Sequence, residues 1–327
     1  MNKQKIVVIG GGSGSFMVLS GLKKYPNVDL SAIVTMSDDG GSTGVLRDEL
    51  GVLPPGDVRQ CLVALSQSDK TLRELFNYRY GDGGLKGHSF GNIFLSTLEK
   101  ITGGFDTAVV EASRILRIRG YVLPVTLKNT RLVASFKNGK EIIGEKNIEL
   151  YKGGFSNIKK LYLKPRAELN PKIFKALKEA DKIVISPGDL YTSLIPNFLV
   201  DGLSENVAKS KAKVIYPVNL MTELGQTDSF TAENYISELE KYVGKNAIKY
   251  AIFNTETPDQ KLLKKYARFG EKPVELGDAE ILPGVNFLKH KLLSHKVYKI
   301  DKNDKLGAER SLIRHDSDKL AKVIYEL

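Results

Sequence analysis

Two groups of residues near the N-terminus could do chemistry. Gly10, Gly11, Gly12, Ser13, Gly14 and Ser15 form an unbroken run of small residues, and Asp38 and Asp39 are adjacent carboxylates in Ser-Asp-Asp-Gly-Gly-Ser-Thr-Gly. Glycines carry no Cβ, so the backbone turns sharply and approaches a ligand closely. Where such a turn opens a helix, unpaired N–H groups and the positive dipole end favour a phosphate. The carboxylate pair is a candidate to hold Mg²⁺ or to accept hydrogen bonds from sugar hydroxyls. An Asx turn with no ligand explains the same pair. The glycine run only partly matches the dinucleotide fingerprint, because its third glycine position falls on Ser15, and no Gly-Lys-Ser/Thr of a Walker loop follows. A plain tight turn, a nicotinamide site and a site for another phosphorylated ligand all stay open.

Further candidates recur along the chain. Arg59 follows Pro54-Pro55-Gly56-Asp57-Val58, a helix entry that Asp57 caps. A cation is disfavoured in a first turn, so Arg59 is expected to face Asp38, Asp39 or a phosphate, or else to be a surface arginine. A second glycine-rich loop, 81–92, brings His88 and Asn92 to another helix start. His88 reads either as a loop cap or as a ligand contact. Ser186-Pro187-Gly188-Asp189-Leu190-Tyr191-Thr192-Ser193 is again strand, turn and helix start, with Gly188 in the turn and the Thr192 and Ser193 hydroxyls in reach of a phosphate. Asn219 ends a strand and suits base or sugar recognition. Arg314 and His315 precede the last helix and face either an anion or the surface.

The elements that must position these groups follow from hydrophobic period. Residues 5–9 and 30–36 are short apolar runs of the buried parallel-strand kind, and 16–24 between them has helical spacing. That is β–loop–α–β with both small-residue loops at the carboxyl ends of strands, where open α/β sheets bind ligands. The pattern resumes with strands at 182–186, 213–218 and 248–254, the last expected core strand. Between the two halves, 121–127 and 131–136 alternate, and Asn138-Gly139 is a strong hairpin turn. Residues of about 121–165 therefore read as an antiparallel excursion that carries no site chemistry, and 274–300 as irregular and strand-bearing. The fold class expected is α/β, a Rossmann-like doubly wound, mostly parallel sheet with an inserted antiparallel hairpin region, forming one domain over 1–327.

Composition bounds the function. The 327 residues are 42% hydrophobic and 27% charged, and no apolar run reaches membrane-spanning length. The N-terminus reads as a first strand rather than a secretory signal. Cys61 is the only cysteine, which excludes a disulfide framework and a cysteine metal site. A cytoplasmic location is expected. The net charge of +11 comes from scattered lysines with no recognition helix or aromatic RNA motif, so a solvated surface is expected rather than nucleic-acid binding.

Taken together, the motifs resemble the CofD-like family, which holds the gluconeogenesis factors (YvcK-type) and the 2-phospho-L-lactate transferases. The resemblance is carried by residues 10–14, 38–44, 54–59, 87–92 and 187–193, and by Asn219-Leu220-Met221-Thr222 with Gly225-Gln226-Thr227-Asp228. It implies a Rossmann-like sandwich. The transferase branch moves a phospholactyl group from a guanosine diphosphate adduct to a deazaflavin precursor with Mg²⁺, which here would fall to Asp38 or Asp39. The factor branch, to which 190–193, 219–222 and Arg314-His315 are more similar, implies a non-catalytic binder of UDP-sugars needed for cell shape and wall synthesis on gluconeogenic carbon. There Tyr266 and Arg314 would contact the nucleotide sugar. Implied partners are a UDP-N-acetylglucosamine-like ligand, cell-wall synthesis proteins and a second copy of the chain. Two positions depart from the family pattern: the first loop reads Gly-Gly-Ser-Gly-Ser-Phe in place of Thr then Gly-Leu, and Asp189 stands in place of serine. A carboxylate beside a diphosphate repels it unless a cation intervenes.

Overall fold

The structure is a computed structural model and describes residues 3–151, 154–278, 282–296 and 312–327. Among the described residues ten strands run in chain order: β1 (Gln4–Gly10), β2 (Val28–Val34), β3 (Tyr121–Pro124), β4 (Arg131–Phe136), β5 (Glu141–Ile143), β6 (Ile158–Lys164), β7 (Lys182–Ile185), β8 (Lys213–Pro217), β9 (Tyr250–Asn254) and β10 (Asn286–His290). The helices that precede the hairpin region are α1 (Gly12–Leu22), α2 (Gly41–Leu50), α3 (Gly56–Leu65), α4 (Lys70–Asn77), α5 (Phe90–Thr102) and α6 (Phe105–Ile115). A short α7 (Glu145–Glu149) lies within it. After it come α8 (Pro171–Lys178), α9 (Ile195–Phe198), α10 (Leu203–Lys209), α11 (Ala232–Val243), α12 (Gln260–Ala267) and α13 (Ser317–Glu326).

Seven strands form one sheet in the order β10-β9-β8-β7-β1-β2-β3, and every pairing in it is parallel. The chain winds outward from β1 to β3, then returns to β7 and winds the other way. The carboxyl ends of β1 and β7 therefore flank the topological switch point. The inner strands are buried on both faces, as their unbroken Val/Ile runs require. One apolar core continues from this sheet into the second, antiparallel sheet β5-β4-β6, through Leu132, Phe136, Ile148 and Leu161.

Two expectations change. The antiparallel region is shorter than 121–165, because β3 pairs parallel with β2 as the edge of the main sheet and only β4 to β6 form the hairpin unit. The parallel sheet also extends past β9: the strand expected within 274–300 is β10, a partly buried edge whose sequence shows no apolar run. The part of 274–300 beyond 296, and 279–281, lie outside the described residues.

Candidate functional site

The switch point is built by close approach of two backbones. A Cβ on Gly14 would lie 1.6 Å from the Pro187 carbonyl oxygen, so only glycine lets the turn after β1 touch the turn after β7. The Ser15 and Ser186 hydroxyls bond across the same contact at 2.9 Å. Gly10 and Gly11 are equally hemmed in, by Ser186 and by Asp57. Gly12 is the open one: it adopts φ +58° and begins α1, whose cap residue Gly11 offers no side-chain acceptor. The N–H groups of Ser13 and Gly14 thus face a cleft. Its volume is about 700 Å³, and Gly12, Ser13, Gly14, Asp38, Gly188, Ser193, Asn219, Tyr266 and Arg314 are in its wall.

Most of these groups are fixed by neighbours. Asn219 donates from Nδ2 to the Gly188 carbonyl at 2.8 Å and accepts the Gly188 N–H at 3.2 Å, so its amide locks the turn after β7. Tyr266 Oη accepts the backbone N–H groups of Leu312, at 2.6 Å, and Ile313, at 3.2 Å. That holds the strap 312–315 with Arg314 and His315 against the cleft. The buried His315 ring donates to the Val218 carbonyl, and burial pushes its pKa down to about 4. It is neutral at pH 7 and gives an anion no charge.

The other candidates are not brought to the cleft wall. Arg59 is buried and bonds Asn92 Oδ1 at 2.9 Å and Asn77 Oδ1 at 2.7 Å, bolting α3 to α4 and α5. Its expected anion is replaced by amide oxygens. Asn92 donates to Ser42 Oγ, and His88 Nδ1 meets the same hydroxyl at 3.1 Å. The second glycine loop therefore secures the start of α2. Thr192 is fully buried inside the π-type turn Leu190–Leu194, with no partner for its hydroxyl, and Ser193 alone of the two reaches the cleft.

Asp38 and Asp39 diverge. Asp38 accepts the Gly40 N–H and the Thr43 hydroxyl and lies against Gly56, on the cleft. Asp39 turns to the hairpin unit, where its carboxylate accepts the Lys146 N–H at 2.9 Å and pairs with Arg131 at 3.3 Å. Glu145 returns the bond by accepting the Asp39 N–H at 3.3 Å. The hairpin region thus does carry site chemistry: α7 places Glu145, Lys146 and Glu149 in the cleft wall.

Asp57 was not expected there either. It sits in the first turn of α3, which is capped by Pro55, and its carboxylate accepts the Gly12 N–H. Burial, then the Asp38 charge, push it up to about 8. Burial likewise raises Asp38 and Glu145. Asp189 opens onto the cleft but is enclosed by its walls, which raises its carboxyl, and a hydrogen bond from Glu223 offsets part of that rise. Glu223 is itself raised by burial and then by the Asp189 charge. In sequence, the only signal for Asp57 was its place in Pro-Pro-Gly-Asp-Val-Arg; Glu145 gave none, because it stands in a hairpin unit.

Fold and cleft define a class: a doubly wound parallel-sheet protein with its pocket at the switch point, between glycine turns. Residues 6–293 match the family described as 2-phospho-L-lactate transferase CofD. The gluconeogenesis factor of Bacillus subtilis is 38% identical over 328 residues, covering 99% of this chain and 98% of that protein. That of Listeria innocua is 38% identical over 322 residues, covering 98% and 94%. A crystal structure of a UPF0052 family member from Bacillus halodurans superposes with a TM-score of 0.90 at 35% identity, covering 99% of each chain. The chain belongs to the CofD-like family, on its gluconeogenesis-factor branch.

Proposed function

We propose that the cleft binds a nucleotide sugar of the UDP-N-acetylglucosamine type. In this reading the protein is a cytoplasmic gluconeogenesis factor, a binder rather than a transferase, that serves cell shape and wall synthesis on gluconeogenic carbon. Wall-synthesis proteins and a second copy of the chain are the partners it expects. The observation that carries the reading is the start of α1, where the N–H groups of Ser13 and Gly14 have no cap from Gly11, opening into a cleft of about 700 Å³, inside the usual range for small-ligand sites. The names of the relatives support the role. No helix among the described residues is long and apolar enough to cross a membrane.

A divalent cation fits the acid side of this cleft in one way. Among the described residues no three acids or histidines form a metal cage. Asp38 and Asp57 together offer carboxylate oxygens, and Mg²⁺ commonly takes one or two carboxylates with phosphate oxygens and water. Asp57 would replace Asp39 as the partner of Asp38. Bound there, the ion would supply positive charge beside the diphosphate, and the two carboxylates would hold it.

A thermal-shift panel tests the reading, since a ligand bound to the native state raises its melting point. UDP-N-acetylglucosamine with Mg²⁺ is expected to raise it by several degrees at 100 times the dissociation constant, a gain of about 2.7 kcal/mol. GDP is expected to do less, and a response to NAD alone sinks the proposal. A transferase in the same cleft is the second reading, favoured by the family match and the facing carboxylates. Release of a guanosine nucleotide from a phospholactyl–guanosine diphosphate adduct, with transfer of the phospholactyl group to a deazaflavin acceptor, would establish it.

A further inference from the structure

One end of the cleft carries an apolar patch. On the β1–β2 side lie the glycine turn, Asp38, Asp57 and Glu145. Toward β8 and β9 the wall carries an apolar patch, Leu220, Met221, Tyr266, Phe269, Leu312 and Ile313, with the carboxylates of Glu223 and Glu271 beside it. Five of these belong to a small hydrophobic cluster, built on Tyr266, Leu293 and Ile313, that is separate from the main core. Phe269 stands just beyond it, 59% exposed, with Leu224 beside Gly270 and 61% exposed. Two large apolar side chains left open at the mouth of a polar cleft point to an apolar ligand part.

We propose that this end is a nucleobase subsite: the heterocycle stacks on Phe269, the diphosphate runs back to the α1 turn, and the sugar points toward Asp38 and Glu145. The inference rests on the nucleotide-sugar reading above and adds the direction of the ligand. A flat ring with a π-face gains by covering Phe269, and stacking does not depend on base identity. Asp38 and Glu145, away from that patch, offer carboxylates to which sugar hydroxyls donate. Lys265, on the same helix as Tyr266, and Arg314 line the cleft beside the apolar wall, where they flank the path of the phosphates.

The chain contains no tryptophan, so Phe269→Trp installs a single reporter. Its emission is expected to be quenched by UDP and by UDP-N-acetylglucosamine and left unchanged by inorganic pyrophosphate. By calorimetry, Phe269→Ala is expected to weaken UDP and UDP-N-acetylglucosamine by the same factor, about tenfold. Because the side chain is largely exposed, the variant is expected to melt within a degree or two of the parent. Loss confined to UDP-N-acetylglucosamine, with UDP unaffected, would reverse the ligand and overturn the inference. So would quenching by pyrophosphate, or nucleotides that bind Phe269→Ala as tightly as the parent. An unmodified protein that binds neither UDP nor its sugar ester overturns the nucleotide-sugar reading itself, and this one with it.

Discussion

Asp57 lies where a phosphate oxygen of the proposed ligand would approach α1. Its carboxylate accepts the Gly12 N–H at the start of α1, so the helix end is partly served by the protein itself. The same carboxyl is held high by burial and by the charge of Asp38. An acid whose folded pKa, about 8, lies above its unfolded value near 4 binds more protons when folded across that window. Its contribution to stability is present at low pH and is lost as pH rises toward 8. The ligand-free protein is therefore expected to melt lower at pH 8.5 than at pH 6. Asp57→Asn keeps an acceptor for the Gly12 N–H and removes the charge. It should flatten that slope and raise the melting point at pH 8.5 by roughly 2 °C, an effect of about 1 kcal/mol. It should also remove any stabilisation by Mg²⁺ alone. A variant that melts lower than its parent at pH 8.5 would show that the charge of Asp57 stabilises the fold.

At the scale of elements, the question is what holds α7 in the cleft wall. Five residues make too short a helix to stand alone, so its position depends on tertiary bonds. Asp39 supplies them by accepting the Lys146 N–H and pairing with Arg131 on β4, while Glu145 accepts the Asp39 N–H. Asp39→Ala is expected to cost about 1–2 kcal/mol of stability and to weaken UDP-N-acetylglucosamine roughly threefold to tenfold through α7, as scanning calorimetry and titration would show. An unchanged affinity would mean that α7 is no part of the working site. The elements differ in how plainly their residues announce them. The strands β1, β2, β7 and β8 were legible, since strands buried on both faces must be continuous apolar runs. The turns after β1 and β7 were legible as small-residue breaks. The edge strand β10 was legible only as a strand somewhere in 274–300, because partial burial leaves no period that would fix its bounds or its pairing. Nor was the role of α7, because Glu145 reaches the cleft only through the docking of one sheet on another. Arg59, His88 and Asn92 misled for a related reason: residue types that suit a ligand are also those that bolt buried helix starts together.

Over the whole molecule, charge of opposite sign acts at two distances. The chain carries +11, spread by lysines over its surface. The cleft wall holds seven carboxylates, Asp38, Asp57, Glu145, Glu149, Asp189, Glu223 and Glu271, against three cations, Lys146, Lys265 and Arg314. An approaching dianionic nucleotide first meets the net positive field, which raises its encounter rate. Within the last few ångströms it meets the acids, several of which have their charged form disfavoured by burial. Salt screens the first effect more than the second, since the Debye length is about 8 Å at physiological ionic strength and enclosed charges are screened less. Stopped-flow mixing with UDP-N-acetylglucosamine is therefore expected to show an association rate that falls several-fold between about 50 and 300 mM NaCl, with a dissociation rate nearly constant. Mg²⁺ should do the opposite, slowing dissociation, because it acts where the carboxylates are. If association instead quickens with salt, the acids of the cleft dominate from the first encounter, and the lysine surface plays no part in gathering the ligand.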